Sequence, residues 1–73
     1  MRVEGVMPLG RFCFPRSHAD VFDDRGTLEI NATDRRLRRV FHRGEWITAT
    51  AYDDQGYPVY CLSAAGQGRK QAS

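Results

Sequence analysis

Apolar and polar residues alternate most cleanly in "EWITATAYDDQGYPVYCLS", residues 45–63, where two runs rich in β-branched and aromatic residues flank "DDQG". That pattern predicts a C-terminal β-hairpin, with Gly56 supplying the positive φ of its turn. In the first strand Trp46, Thr48, Thr50 and Tyr52 fall on one face and Ile47, Ala49 and Ala51 on the other. In the second, Tyr57, Val59 and Cys61 oppose Pro58, Tyr60 and Leu62. Pro58 has no amide donor, so it belongs at a strand start or on a sheet edge. Upstream, "TLEIN" puts Leu28 and Ile30 on one face of a half-buried strand.

"DRRLRRVFHRGEW", residues 34–46, fits two periods. As a helix it places Leu37, Val40 and Phe41 on one face, with Thr33 or Asp34 to cap its start and Gly44 at its end. As a strand, "LRRVFH" turns at "RGE" into the hairpin and makes a meander. A helix of about nine residues gains little by itself, and the short spacing to the next strand favours the meander.

The N-terminal "RVEGVMPLGRFCFP" is broken by Gly5, Pro8 and Gly10 and reads as an irregular strand ended by Pro15, with Phe12 and Phe14 sharing a face. "RSHADVFDDRG" collects turn formers, closes with Asp23, Asp24 and Gly26, and offers a core only Val21 and Phe22. It reads as a loop with at most one helical turn. The expected fold is therefore mostly β: a small antiparallel sheet or open barrel of four to five strands, with at most one short helix at 34–42. The alternative is α+β. One domain spans residues 1–64, and "AAGQGRKQAS" makes 65–73 a flexible polar tail that frays from about Ala65.

A chain of 73 residues supports one small core, whose surplus over conformational entropy is roughly 3–5 kcal/mol. A partner or a second copy would therefore matter, and a homo-oligomer is one candidate arrangement. With 41% hydrophobic and 27% charged residues the chain belongs with folded domains. "MRVEGVMPLG" has no apolar run of signal-peptide length, and nothing approaches a membrane span, so no membrane role is expected. Only Cys13 and Cys61 are present, in "RFCFP" and "PVYCLS". They read as buried, reduced thiols in a cytoplasmic protein.

Few residues carry the pattern of a reaction. Cys13, Cys61, His18 and His42 lack the close pairing of structural zinc ligands, and nothing beside either cysteine activates a thiolate. Asp23-Asp24 and Asp53-Asp54 both sit in predicted turns, where aspartate bonds the backbone. The glycines never form a phosphate-cradling loop. No catalytic residue, metal ligand or cofactor is expected, and the chain reads as a non-enzymatic protein.

Net charge is only +2, yet ten of the eleven cations are arginine, and Arg35, Arg36, Arg38, Arg39 and Arg43 crowd into one segment. A run of like charge commonly forms a solvated face. Here Trp46, Tyr57 and Tyr60 follow closely, and arginines interleaved with exposed rings hold single-stranded nucleic acid by pairing phosphates and stacking bases. The same residue types also anchor protein interfaces. The sequence thus points to a small binding module whose site comprises Arg35, Arg36, Arg38, Arg39, Arg43, Trp46, Tyr57 and Tyr60. Its partner is single-stranded nucleic acid or, alternatively, an acidic protein surface met by an adaptor, inhibitor or self-associating component. One face shared by the arginines and the rings favours nucleic acid; opposite faces favour an ordinary core beneath a charged surface.

Overall fold

The computed structural model describes residues 1–21 and 25–64 in full and 68–71 by their backbone. Seven strands carry described side chains: β1 (Arg2–Met7), β2 (Gly10–Pro15), β3 (Ser17–Val21), β4 (Leu28–Ala32), β5 (Leu37–Phe41), β6 (Thr48–Tyr52) and β7 (Pro58–Ser63). An eighth, β8 (Gly68–Gln71), is described by its backbone alone. They form a five-stranded sheet in the order β2-β1-β6-β7-β8 and a three-stranded sheet in the order β3-β4-β5, antiparallel throughout. Both sheets are open, and the described residues contain no helix. None is therefore long and apolar enough to cross a membrane. The fold is mostly β, as the alternation predicts, with more and shorter strands than four to five.

The C-terminal hairpin is present. Strand β6 pairs with β7 from Thr48 opposite Ser63 to Tyr52 opposite Pro58, and a register shift beside Ala51 leaves Val59 as the extra residue of a bulge. The Asp53 carboxylate accepts the amides of Gln55 and Tyr57, each at 2.9 Å, and Gly56 takes φ +87° with open space around it. Pro58 is the first residue of β7, where its missing donor costs least.

The N-terminal segment is a hairpin, not one irregular strand: β1 and β2 fold back through Pro8 and Leu9. Its tight point is Gly5, paired with Phe12 on one side and Ala49 on the other. A Cβ on Gly5 would fall inside the Phe12 ring and against the Thr48 carbonyl, so the missing side chain is what lets Phe12 lie flat over the sheet. Phe12 stacks on Phe41 at 4.7 Å between centroids, and Phe14 packs on both at 5.8 and 6.3 Å.

Other expectations change as well. The segment read as a loop contains β3, which pairs with β4 from Ser17 opposite Ala32 to Val21 opposite Leu28. Its buried residues, Ser17 and Ala19, are too small to announce a strand in the sequence. The helix option at 34–42, and with it the α+β alternative, is excluded because Leu37–Phe41 is a strand. Finally, Trp46 does not share the outer face of Thr48 and Thr50. It precedes β6, outside the strand's phase, and its ring is 1% exposed, with Nε1 donating to the Gly26 carbonyl at 2.8 Å.

The core lies between the sheets. Val3, Phe12, Ala49, Ala51 and Leu62 face inward from the larger sheet, and Ala19, Leu28, Ile30 and Phe41 from the smaller. Burying a large apolar side chain contributes roughly 1.5–3 kcal/mol. Val21 packs at the margin, whereas Phe22, Asp23 and Asp24 lie outside the described residues. Of the expected polar tail, residues 65–67 and 72–73 also lie outside them, and the backbone of β8 pairs with β7. The thiols are free but do not match their expected burial: Cys13 is exposed and Cys61 half-buried. Cys13 sits opposite Glu4 on the outer face of the larger sheet, the phase opposite to Phe12 and Phe14.

Candidate binding edge

Strand β5 is one edge of the smaller sheet and β2 one edge of the larger. The arginine segment runs along β5 and through the turns at either end of it. Leu28 opposes Phe41 and Ile30 opposes Arg39, so alternate residues of β5 meet the core side, and a shift between Ile30 and Asn31 disturbs that phase near Leu37. A charged, bulged edge resists uncontrolled pairing with other strands. All five arginines of the segment are exposed.

Each is positioned differently. Arg35 holds φ +73° in the turn between β4 and β5, and its amide donates to the Ala32 carbonyl at 2.8 Å. Arg36 pairs through Nε with the Asp34 carboxylate at 3.0 Å while its side chain stays 82% exposed. Such a pair stabilises by at most about 1 kcal/mol and exchanges readily for another anion. Arg38 donates from Nη1 to the Pro15 carbonyl at 2.9 Å and to Ser17 Oγ at 3.3 Å, with its guanidinium 5.7 Å from the Phe14 ring centroid. Arg39 lies 4.5 Å over the Phe41 ring. Aromatic contacts of this kind orient a guanidinium and leave its hydrogens for a ligand. Arg43 stands in the turn after β5.

The aromatic members of the expected site separate from the arginines. Trp46 is core. The Tyr60 hydroxyl is occupied by the backbone of Ala19, to which it donates at 2.8 Å and from which it accepts at 3.0 Å. Only Tyr57 of the three is broadly exposed, at 66%, and it sits beside the turn between β6 and β7. Apart from Tyr57, the structure thus presents the arginines outside and the rings of the expected site inside or beneath them.

Residues that the sequence did not single out complete the edge. Arg16, between β2 and β3, adopts φ +52°, and its carbonyl accepts both the amide and the hydroxyl of Thr33 at 2.9 Å. This corner and the β4–β5 turn enclose a recess of about 680 Å3, with Pro15 and Arg16 on one side and Thr33, Asp34, Arg36 and Arg38 on the other. A smaller hollow of about 290 Å3 lies farther along the seam, bordered by Met7, Leu9, Arg39 and Phe41. The recess carries three cations against one carboxylate. Its sequence signal was the single Pro-Arg step after "FCF", which marks a bend but not its neighbours.

On the outer face of the larger sheet, Arg2 donates from Nε to the Glu4 carboxylate and lies 4.7 Å over Tyr52, and that hydrogen bond to Glu4 raises the guanidinium's pKa above its usual value. Those charges satisfy one another. No group of three or more His, Cys, Asp or Glu side chains converges among the described residues. No family model, curated protein or solved structure matches the chain.

Proposed function

We propose that this chain is a non-enzymatic binding module that docks an acidic protein partner along β5. The observation that supports the reading is the exposure of Arg35, Arg36, Arg38, Arg39 and Arg43 along the edge strand β5 and the turns that flank it, while Trp46 and Tyr60 are committed to the fold. Arginines without stacking rings suit carboxylates, which a guanidinium grips through two parallel hydrogen bonds. Base stacking on exposed rings adds about 1–3 kcal/mol per base in single-strand binders, and among the described Phe, Tyr and Trp residues Tyr57 alone is broadly exposed.

The test compares labelled polyglutamate with labelled oligothymidylate by fluorescence anisotropy at low salt, where screening is weakest. Polyglutamate binding is expected, and Arg35→Ala, Arg36→Ala, Arg38→Ala and Arg39→Ala together should abolish it without unfolding the protein. Tighter binding of the oligonucleotide, lost in Tyr57→Ala, would move the assignment to single-stranded nucleic acid. Failure of both probes would remove the binding reading. Sedimentation at the same salt distinguishes an acidic partner from a second copy of the chain.

A further inference from the structure

We infer that the recess between the Arg16 corner and the β4–β5 turn is the specificity site of this edge, and that it takes an extended peptide whose acidic side chains alternate. The inference rests on the binding reading above and names the shape of the partner.

Arg36 and Arg38 are two residues apart and line the same recess, with Arg16 on its other wall. An extended peptide repeats its side-chain direction every second residue. Seated in the recess beside the start of β5, it would bring carboxylates at i and i+2 to Arg36 and Arg38 together. A helix would not, because its neighbours on one face are three or four residues apart. The walls are held in advance. Arg16 is fixed in the left-handed region by the two hydrogen bonds from Thr33, and Arg38 is anchored on Pro15 and Ser17. Non-glycine residues in that region persist only where their surroundings impose it, and Arg16 is such a residue in the wall of this recess.

Asp34 supplies the internal competitor. Its Oδ2 pairs with Arg36, while its Oδ1 accepts the Arg36 amide at 3.2 Å and so shapes the turn. Asparagine at this position keeps an acceptor for the amide and removes the charge. Asp34→Asn should therefore leave the turn in place and free Arg36 for the incoming carboxylate.

The experiment uses two labelled peptides of about eight residues and equal net charge, chosen because strands pair over such lengths. One alternates Glu with Thr; the other has all Glu in one block followed by all Thr. Anisotropy titrations at low salt are expected to show the alternating peptide binding about fivefold more tightly, the upper end for one exposed ion pair. Arg36→Gln should erase the difference, and its exposed side chain makes loss of the fold an unneeded explanation, checked by an unchanged melting temperature. Arg11→Gln, which removes the same charge from the outer face of the larger sheet, should preserve the difference. Asp34→Asn should enlarge it. Equal affinity for the two peptides, or a difference that survives Arg36→Gln, would overturn the recess as the specificity site while leaving the acidic-partner reading intact. No binding of either peptide would remove both.

Discussion

The hydroxyl of Tyr60 holds both backbone groups of Ala19, donating to its carbonyl at 2.8 Å and accepting from its amide at 3.0 Å. Tyr60 belongs to β7 of the larger sheet and Ala19 to β3, an edge of the smaller. One side chain therefore satisfies an otherwise open stretch of sheet edge and ties the two layers together. Tyr60→Phe keeps the ring and removes both bonds, leaving a donor and an acceptor beside the core. A loss of about 1–3 kcal/mol is expected, read as a lower urea midpoint with an unchanged slope. Unchanged stability would show that water replaces the hydroxyl at no cost.

Gly5 and Phe12 form a second coupled pair. Gly5→Ala should destabilise the domain by about 1–3 kcal/mol or more, because the added methyl meets a ring and a carbonyl that cannot both retreat. Phe12→Leu in the same chain should recover part of that loss, making the two changes non-additive. Simple additivity in a double-mutant cycle would separate Gly5 from Phe12.

Trp46 provides an intrinsic optical probe. Its burial and its bond to Gly26 predict blue-shifted emission, weak quenching by acrylamide, and no change when polyglutamate binds. Trp46→Phe should cost about 1–3 kcal/mol, chiefly through the unpaired Gly26 carbonyl. Emission typical of a solvated indole would contradict the core position.

The two thiols should differ in rate. Cys13 is exposed and should be alkylated first in the native protein, with Cys61 following more slowly from its half-buried position, where Thr50 Oγ1 lies 3.5 Å from its sulfur. Cys13→Ser should change stability by no more than about 0.5 kcal/mol, as expected for a surface site. Time-resolved mass spectrometry of labelled peptides gives the order directly, and faster labelling of Cys61 would reverse it.

The parts of this fold that were legible in the sequence are those where strand phase and turn chemistry agree. Residues 48–63 alternate on either side of an Asp-and-Gly turn, and they form the hairpin. Strand β3 was hidden because its inward residues are Ser17, Ala19 and Val21. That face needs small groups where Tyr60 approaches Ala19, and smallness leaves no hydrophobic period. Trp46 was misplaced by extending the β6 alternation two residues beyond its start. The arginine run was visible as charge, and its position on an edge explains how a strand tolerates it. The recess was not visible, since Arg16 reaches Thr33 only through the bend between the sheets.

The position of β1 between β2 and β6 also sets an order of events in time. Its pairing with β2 closes a turn of a few residues, whereas Val6 meets Thr48 and Arg2 meets Tyr52 across nearly the whole domain. Contacts so distant along the chain slow folding, because the loop must be closed before they reward it. During synthesis the N-terminal hairpin therefore emerges with one edge of β1 bare, and that edge stays open until β6 has left the ribosome.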